Sequence, residues 1–212
     1  MSGFQNEIWT QLGTDINGEA GGDQSGYSVS LSSDGTIVAI GALLNDGTSG
    51  ITSDNRGHVR VYEYSSGLWR QLGADIDGED GSDFSGSSVS LSSDGTIVAI
   101  GAKLNDGYGN KSGHVCVYQY SSGLWTKLGA DIDGQLNGEQ SGYSVSLSSD
   151  GTIVAIGAPF NTSYSKVGHV RVYQYSSYSW RQLGADIVGE ELFDQSGFSV
   201  SLSSDGTIVA IG

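Results

Sequence analysis

Residues 28–41 read SVSLSSDGTIVAIG, and the same fourteen residues return unchanged from Ser88, Ser144 and Ser199. The starts are 60, 56 and 55 residues apart. A β-solenoid coil needs only about 20 to 30 residues, whereas four strands with their turns need about 40 to 60. The spacing therefore predicts an all-β fold built from β-propeller blades of four antiparallel strands.

Within one unit, residues 27–31 alternate apolar and small polar side chains, the pattern of a strand with one face in a tight space. Residues 32–35, Ser-Ser-Asp-Gly, make a hairpin turn, with Asp34 able to bond nearby backbone and Gly35 able to take positive φ. Residues 36–40, Thr-Ile-Val-Ala-Ile, are apolar and β-branched, as suits a strand covered on both faces. After a variable loop come a third strand from His58 to Tyr64 and a short outer strand from Trp69 to Gly73. The inner strand is the first and the outer strand the fourth.

At this point Ser141 to Asn161, SGYSVSLSSDGTIVAIGAPFN, resembles an FG-GAP repeat, the blade motif of integrin-α-type seven-bladed propellers. The resemblance covers about residues 25–212. Gly157-Ala-Pro159 matches the GAP signature, whereas Gly41-Ala-Leu43 and Gly101-Ala-Lys103 match two of its three letters. The resemblance implies a binding or adhesion role and an extracellular or cell-surface setting. In that family the loop between the first two strands often holds calcium. Here it is Ser-Ser-Asp-Gly with one carboxylate, and calcium wants six or more oxygen ligands, so the family's calcium site is not carried over.

The 212 residues read as one repeat domain, about three and a half to four blade equivalents: an outer strand at 9–13, blade units at about 25–73, 85–129 and 141–184, and a partial unit at 196–212. Four inner hairpins accompany only three third strands, beginning at His58, His114 and His169. A piece of a longer propeller, a strained four-bladed ring and an arc closed by association all fit, and the first is the expectation. Incomplete blade edges predict self-association, since unpaired strand groups invite another chain.

Composition narrows the function. A net charge of −15 with nine Lys and Arg argues against nucleic acid, whose phosphates need clustered cations. The opening residues have neither a basic stretch nor an apolar core of signal-peptide type, and no run of eighteen apolar residues exists, which argues against membrane insertion. Cys116 stands alone and excludes a disulfide within the chain; it occupies the place of Arg60 and Arg171, so it reads as drift rather than a nucleophile.

All but six of the 24 acidic residues lie in the loops after the second and fourth strands, the exceptions being Glu7, Glu63 and the four turn aspartates. Those loops share one end of the blades and vary between units, the usual arrangement for recognition on a rigid frame. The candidate ligand-binding residues are Asp75, Asp77, Glu79, Asp80 and Asp83, with Asp131, Asp133, Asp46 and Asp106. Asp75, Asp77 and Glu79 are a weak candidate for calcium, and no other cofactor is expected. Asn110 and Asn161 fit the glycosylation pattern if the protein is secreted. The three histidines, on different blades, cannot meet on one ion, and the tryptophans Trp9, Trp69, Trp125 and Trp180 read as packing between blades.

The expectation is a binding or adhesion scaffold that presents acidic loops to a protein or glycan; the alternative is a purely structural module of a larger surface protein. Near-identical blades offer no asymmetric set of nucleophile, base and oxyanion stabiliser, so an enzyme is not expected.

Overall fold

The computed structural model describes residues 9–47, 53–160 and 167–212. Apolar β-branched runs become strands, and each repeat folds into its own antiparallel sheet. The first blade contains β1 (Ser28–Leu31), β2 (Ile37–Ala42), β3 (His58–Ser65), β4 (Leu68–Gln71) and β5 (Ile76–Asp77). Strands β4 and β5 pair with opposite ends of β3, so they are two halves of one outer strand. The second blade repeats this as β6 (Ser85–Leu91), β7 (Ile97–Ala102), β8 (His114–Ser121), β9 (Leu124–Lys127) and β10 (Ile132–Asp133). The third does so as β11 (Ser144–Leu147), β12 (Ile153–Ala158), β13 (His169–Ser176), β14 (Ser179–Gln182) and β15 (Ile187–Val188), and a last hairpin holds β16 (Val200–Leu202) and β17 (Val209–Ile211). The order from inner to outer strand is the predicted one.

The turn chemistry is as expected. Asp34 accepts from the Thr36 backbone N–H at 2.9 Å and from the Ser32 and Thr36 hydroxyls at 2.7 and 2.8 Å, and Gly35 has φ +73°. Bonds from Ser203 and Thr207 hold the equivalent Asp205 carboxyl down at about 2.

The core lies between blades. Ala39, Val59 and Val61 of the first blade pack with Val89, Leu91 and Val98 of the second, and Ala99, Val115 and Val117 with Val145, Leu147 and Val154 of the third. The inner strands are joined by side chains of the invariant block. Ser28 Oγ donates to the Gly86 carbonyl at 2.7 Å, Ser88 to Gly142 and Ser144 to Gly197. Ser30 Oγ accepts from the Leu91 N–H at 3.0 Å, Ser90 from Leu147 and Ser146 from Leu202. The Ser33 N–H donates to Ser93, Ser93 to Ser149 and Ser149 to Ser204. Gly41 lies so close to the next blade that a Cβ there would collide with the Gly86 carbonyl. Tryptophan indoles extend the seam outward: Trp69, Trp125 and Trp180 donate to the Leu12, Leu72 and Leu128 carbonyls at 2.7–2.8 Å.

Two expectations are corrected. Residues 9–13 form no strand, because an outer strand needs a third strand beside it and the described residues place none there; Leu12 and Gly13 instead dock on Trp69. Among the described residues the units make an open arc and close no four-bladed ring. Val29 and Leu31 are 63% and 60% exposed, where their counterparts Val89 and Leu91 are 9% and 7%. Ile208 at the other end is 69% exposed and its counterpart Ile97 is 8%.

Candidate functional site

The loops after the second and fourth strands are laced together at one end of the arc. The Ser82 N–H donates to Asp54, Phe84 to Asn55, Gly138 to Asn110 and Gln140 to Lys111. Much of the predicted acidic set is used in this lacing. Asp83 is 3% exposed, and its carboxylate accepts from Asn105 Nδ2 at 2.8 Å and the Asp80 N–H at 3.1 Å; burial pushes its carboxyl up. As a surface ligand residue it is therefore withdrawn: it is a loop staple, as Asp23 is with Asn45 at 2.9 Å. Asp46 accepts from the Asn55 and Ser53 N–H groups, both at 3.0 Å, which hold its carboxyl below the usual range. Asp106 is exposed and accepts from the Lys111 N–H at 2.6 Å.

Asp75, Asp77 and Glu79 do not converge. Asp75 accepts from Gln71 Nε2 at 2.5 Å and faces His58, Asp77 lies in β5 beside His58, and Glu79 turns to Lys127 at 2.5 Å. Each of the three finds a different partner. Glu79, Asp80, Asp106 and Asp133 remain exposed. Asn110 is exposed too, and Asn161 lies outside the described residues.

A motif missed in the sequence explains where the acids go. In the second and third blades a cation on the third or fourth strand meets one acid from the loop before the inner strand and one from the link between the two halves of the outer strand. In the third blade Arg171 donates to Glu139 at 2.9 Å and to Asp186 at 3.0 Å. In the second blade Cys116 replaces the arginine, and Lys127 reaches Glu79 at 2.5 Å and Asp131 at 2.6 Å. Burial pushes the Cys116 thiol up, the Asp131 carboxylate adds to this, and the thiol stays protonated, donating to Asp131 at 3.3 Å. Burial would raise Asp131, but its bonds from Lys127 and Cys116 outweigh it and leave the carboxyl below the usual range. In the first blade Arg60 stands 3.7 Å from Glu19 and donates to the Asn17 carbonyl at 3.0 Å. Lys127 standing at the Gln71 and Gln182 position was the readable signal, since a lost arginine and a gained lysine compensate.

A second missed feature lies at the inner rim of the same end. Lys103 Nζ sits 4.9 Å from the Tyr143 ring centre and 5.5 Å from that of Tyr27, and Tyr143 packs on Phe198 at 4.8 Å between centroids. Tyr27 and Phe198 are about half exposed. The aromatic that follows Ser-Gly in three of the four units supplies this cluster.

No family model matches the chain, and no curated protein does. Solved structures do share the fold. A candidate 6-phosphogluconolactonase from Bacteroides uniformis is 14% identical with a TM-score of 0.51, matching 87% of this chain and 42% of that one. Hydrazine synthase of Kuenenia stuttgartiensis is 12% identical with a TM-score of 0.53, over 95% of this chain and 44% of that one. Sqt1 of Chaetomium thermophilum is 20% identical with a TM-score of 0.55, over 90% and 41%. The fold is of propeller type. The chain spans less than half the length of each of these structures.

These likenesses overturn one expectation. Proteins described as enzymes share this architecture, so the sameness of the blades does not exclude an enzyme. A fold hosts unrelated functions through sites grafted on it, and small differences between repeats, such as Cys116 for arginine, create asymmetry that the repeat pattern hides.

Proposed function

We propose that the protein is a binding scaffold that holds a protein partner against the loop end of its blades. The observation that carries this reading is the cluster of Lys103 with Tyr27, Tyr143 and Phe198, in which Tyr27 and Phe198 are about half exposed. Aromatic and cationic side chains at the centre of a patch with a charged rim are the usual anatomy of a recognition surface. In this reading the exposed Asp80, Asp106 and Asp133 supply charge outside the cluster, giving orientation and on-rate more than affinity. A glycan is the second ligand class that such a ring-faced patch accepts, by stacking on Tyr27 and Phe198. The FG-GAP resemblance, with its adhesion role, agrees with this reading.

A partner recovered by cross-linking to the intact chain, then titrated in isolation, tests it. Tyr143→Ala together with Lys103→Ala is expected to weaken binding at least tenfold, whereas Glu63→Gln at the opposite end leaves it unchanged. Affinity that ignores the rim cluster and follows Glu63 would overturn the proposal.

We propose also that copies of the chain join end to end. The support is the match between the two ends of the arc. The first blade offers the Gly26 carbonyl, the Leu31 N–H, the Ser33 carbonyl and the exposed Val29 and Leu31; the last hairpin offers the Ser199 and Ser201 hydroxyls, the Ser204 N–H and Ile208. These are the two halves of the contact that each inner pair of blades makes.

A further inference from the structure

We propose that Glu19, His58 and Asp75 of the first blade form a binding site for one divalent transition-metal ion of the zinc class. The three residues come from the loop before β1, the start of β3 and the link between β4 and β5. His58 Nδ1 has no hydrogen-bond partner, although the side chain is only 2% exposed. It faces Glu19 Oε2 and Asp75 Oδ2, each 3.8 Å away. That distance is too long for a hydrogen bond. Two atoms bound at about 2.1 Å to one ion are separated by at most about 4.2 Å, and both pairs lie inside this limit. All three ligand atoms lie within 4.8 Å of one another, and Glu19, the exposed member, closes the remaining gap by rotating.

The sister blades show what the space accepts. The second blade inserts the Lys127 ammonium between Glu79 and Asp131, and the third the Arg171 guanidinium between Glu139 and Asp186. In the first blade Gln71 stands in the place of Lys127 and binds Asp75 Oδ1, and Arg60 turns to the Asn17 carbonyl. Arg60 also stays 3.7 Å from Glu19 Oε1, and the space between the Glu19 Oε2 and Asp75 Oδ2 atoms faces His58 Nδ1. Gln71 fixes the Asp75 carboxylate from outside, as supporting residues do around metal ligands. One nitrogen and two carboxylates suit zinc-like ions; calcium wants six or more oxygens and is disfavoured. The bound ion would tie the loop carrying Glu19 to the frame of the first blade.

Zinc chloride titrated by calorimetry into the 212-residue chain tests this, with Cys116→Ser as the background so that no thiol competes. One ion per chain is expected, with a raised Tm, and calcium chloride should give neither. Glu19→Gln removes an exposed ligand and should weaken zinc binding at least tenfold. Gln71→Lys, which removes no ligand but copies the second blade's ammonium, should abolish zinc binding while the fold, checked by circular dichroism, stays intact. Absence of zinc binding, or binding that survives both substitutions, overturns the proposal.

Discussion

At the scale of the residue, the chemistry of each blade turns on one buried position: a histidine with a cation and two acids around it. His169 in the third blade is 1% exposed, and burial first, then the Arg171 guanidinium, hold it down at about 4. A folded-state value below the ordinary 6.5 means that the unfolded chain binds more protons between these limits. His169 thus stabilises the fold fully above about pH 6.5, and this contribution is lost as pH falls toward 4, by about 2 kcal/mol at pH 5. Glu139, whose carboxyl burial pushes up, acts with the opposite sign in acid. The comparison that isolates His169 is therefore with His169→Gln: urea melts at pH 7 and pH 5 should show a smaller loss of stability in the variant than in the parent. Equal losses would refute the assignment. These positions were partly legible in the sequence. The third-strand histidines announced a repeated role, and Gln71 with Asp75 or Lys127 with Asp131 are pairs four residues apart. What was not legible was that the strand halves β4 and β5 fold the outer strand back so that such pairs meet. Asp83 looked like an exposed acid because its staple, Asn105, lies on another loop.

At the scale of the element, the invariant block is a joint. Each copy of SVSLSSDG is both donor and acceptor to the next, so a change in one unit has to fit two neighbours, and sameness follows from repetition of one contact. The order of strands and the hairpin turns could be read from alternation and turn residues, since both depend on near neighbours in the chain. The serine ladder could not, because it pairs residues more than fifty positions apart. Ser90 and Ser201 separate the local from the ladder role. Ser90→Ala leaves the Leu147 N–H without its acceptor in a part-buried seam and should cost about 1–2 kcal/mol. Ser201→Ala, the same residue in the last hairpin, beside which the described residues place no further blade, should fall within about 0.5 kcal/mol of the parent when both are measured dilute enough to be monomeric. Urea midpoints measured side by side decide it; equal costs would mean that the serines act within their own strands.

At the scale of the whole molecule, the arc has unlike ends, and this fixes the geometry of any association. The head presents Val29 and Leu31 and the tail presents Ile208 with the last serines, so a head can meet a tail but two heads cannot pair. Such a contact is heterologous: it closes a ring if the rotation allows and otherwise grows a chain of copies. Covering Val29 and Leu31 as Val89 and Leu91 are covered removes apolar side chains from water, each worth about 1.5–3 kcal/mol. Light scattering behind size exclusion should therefore find concentration-dependent dimers and larger species. Leu31→Glu, a change at an exposed site that should leave the fold intact, blocks the head; Ile208→Glu blocks the tail. Each variant alone should run as a monomer. Mixed, the free tail of the Leu31→Glu chain meets the free head of the Ile208→Glu chain, and the mixture should stop at dimers, because the second contact is blocked on both sides. A mixture that stays monomeric, or a parent chain that is monomeric at about 100 μM, would show that the two ends do not join.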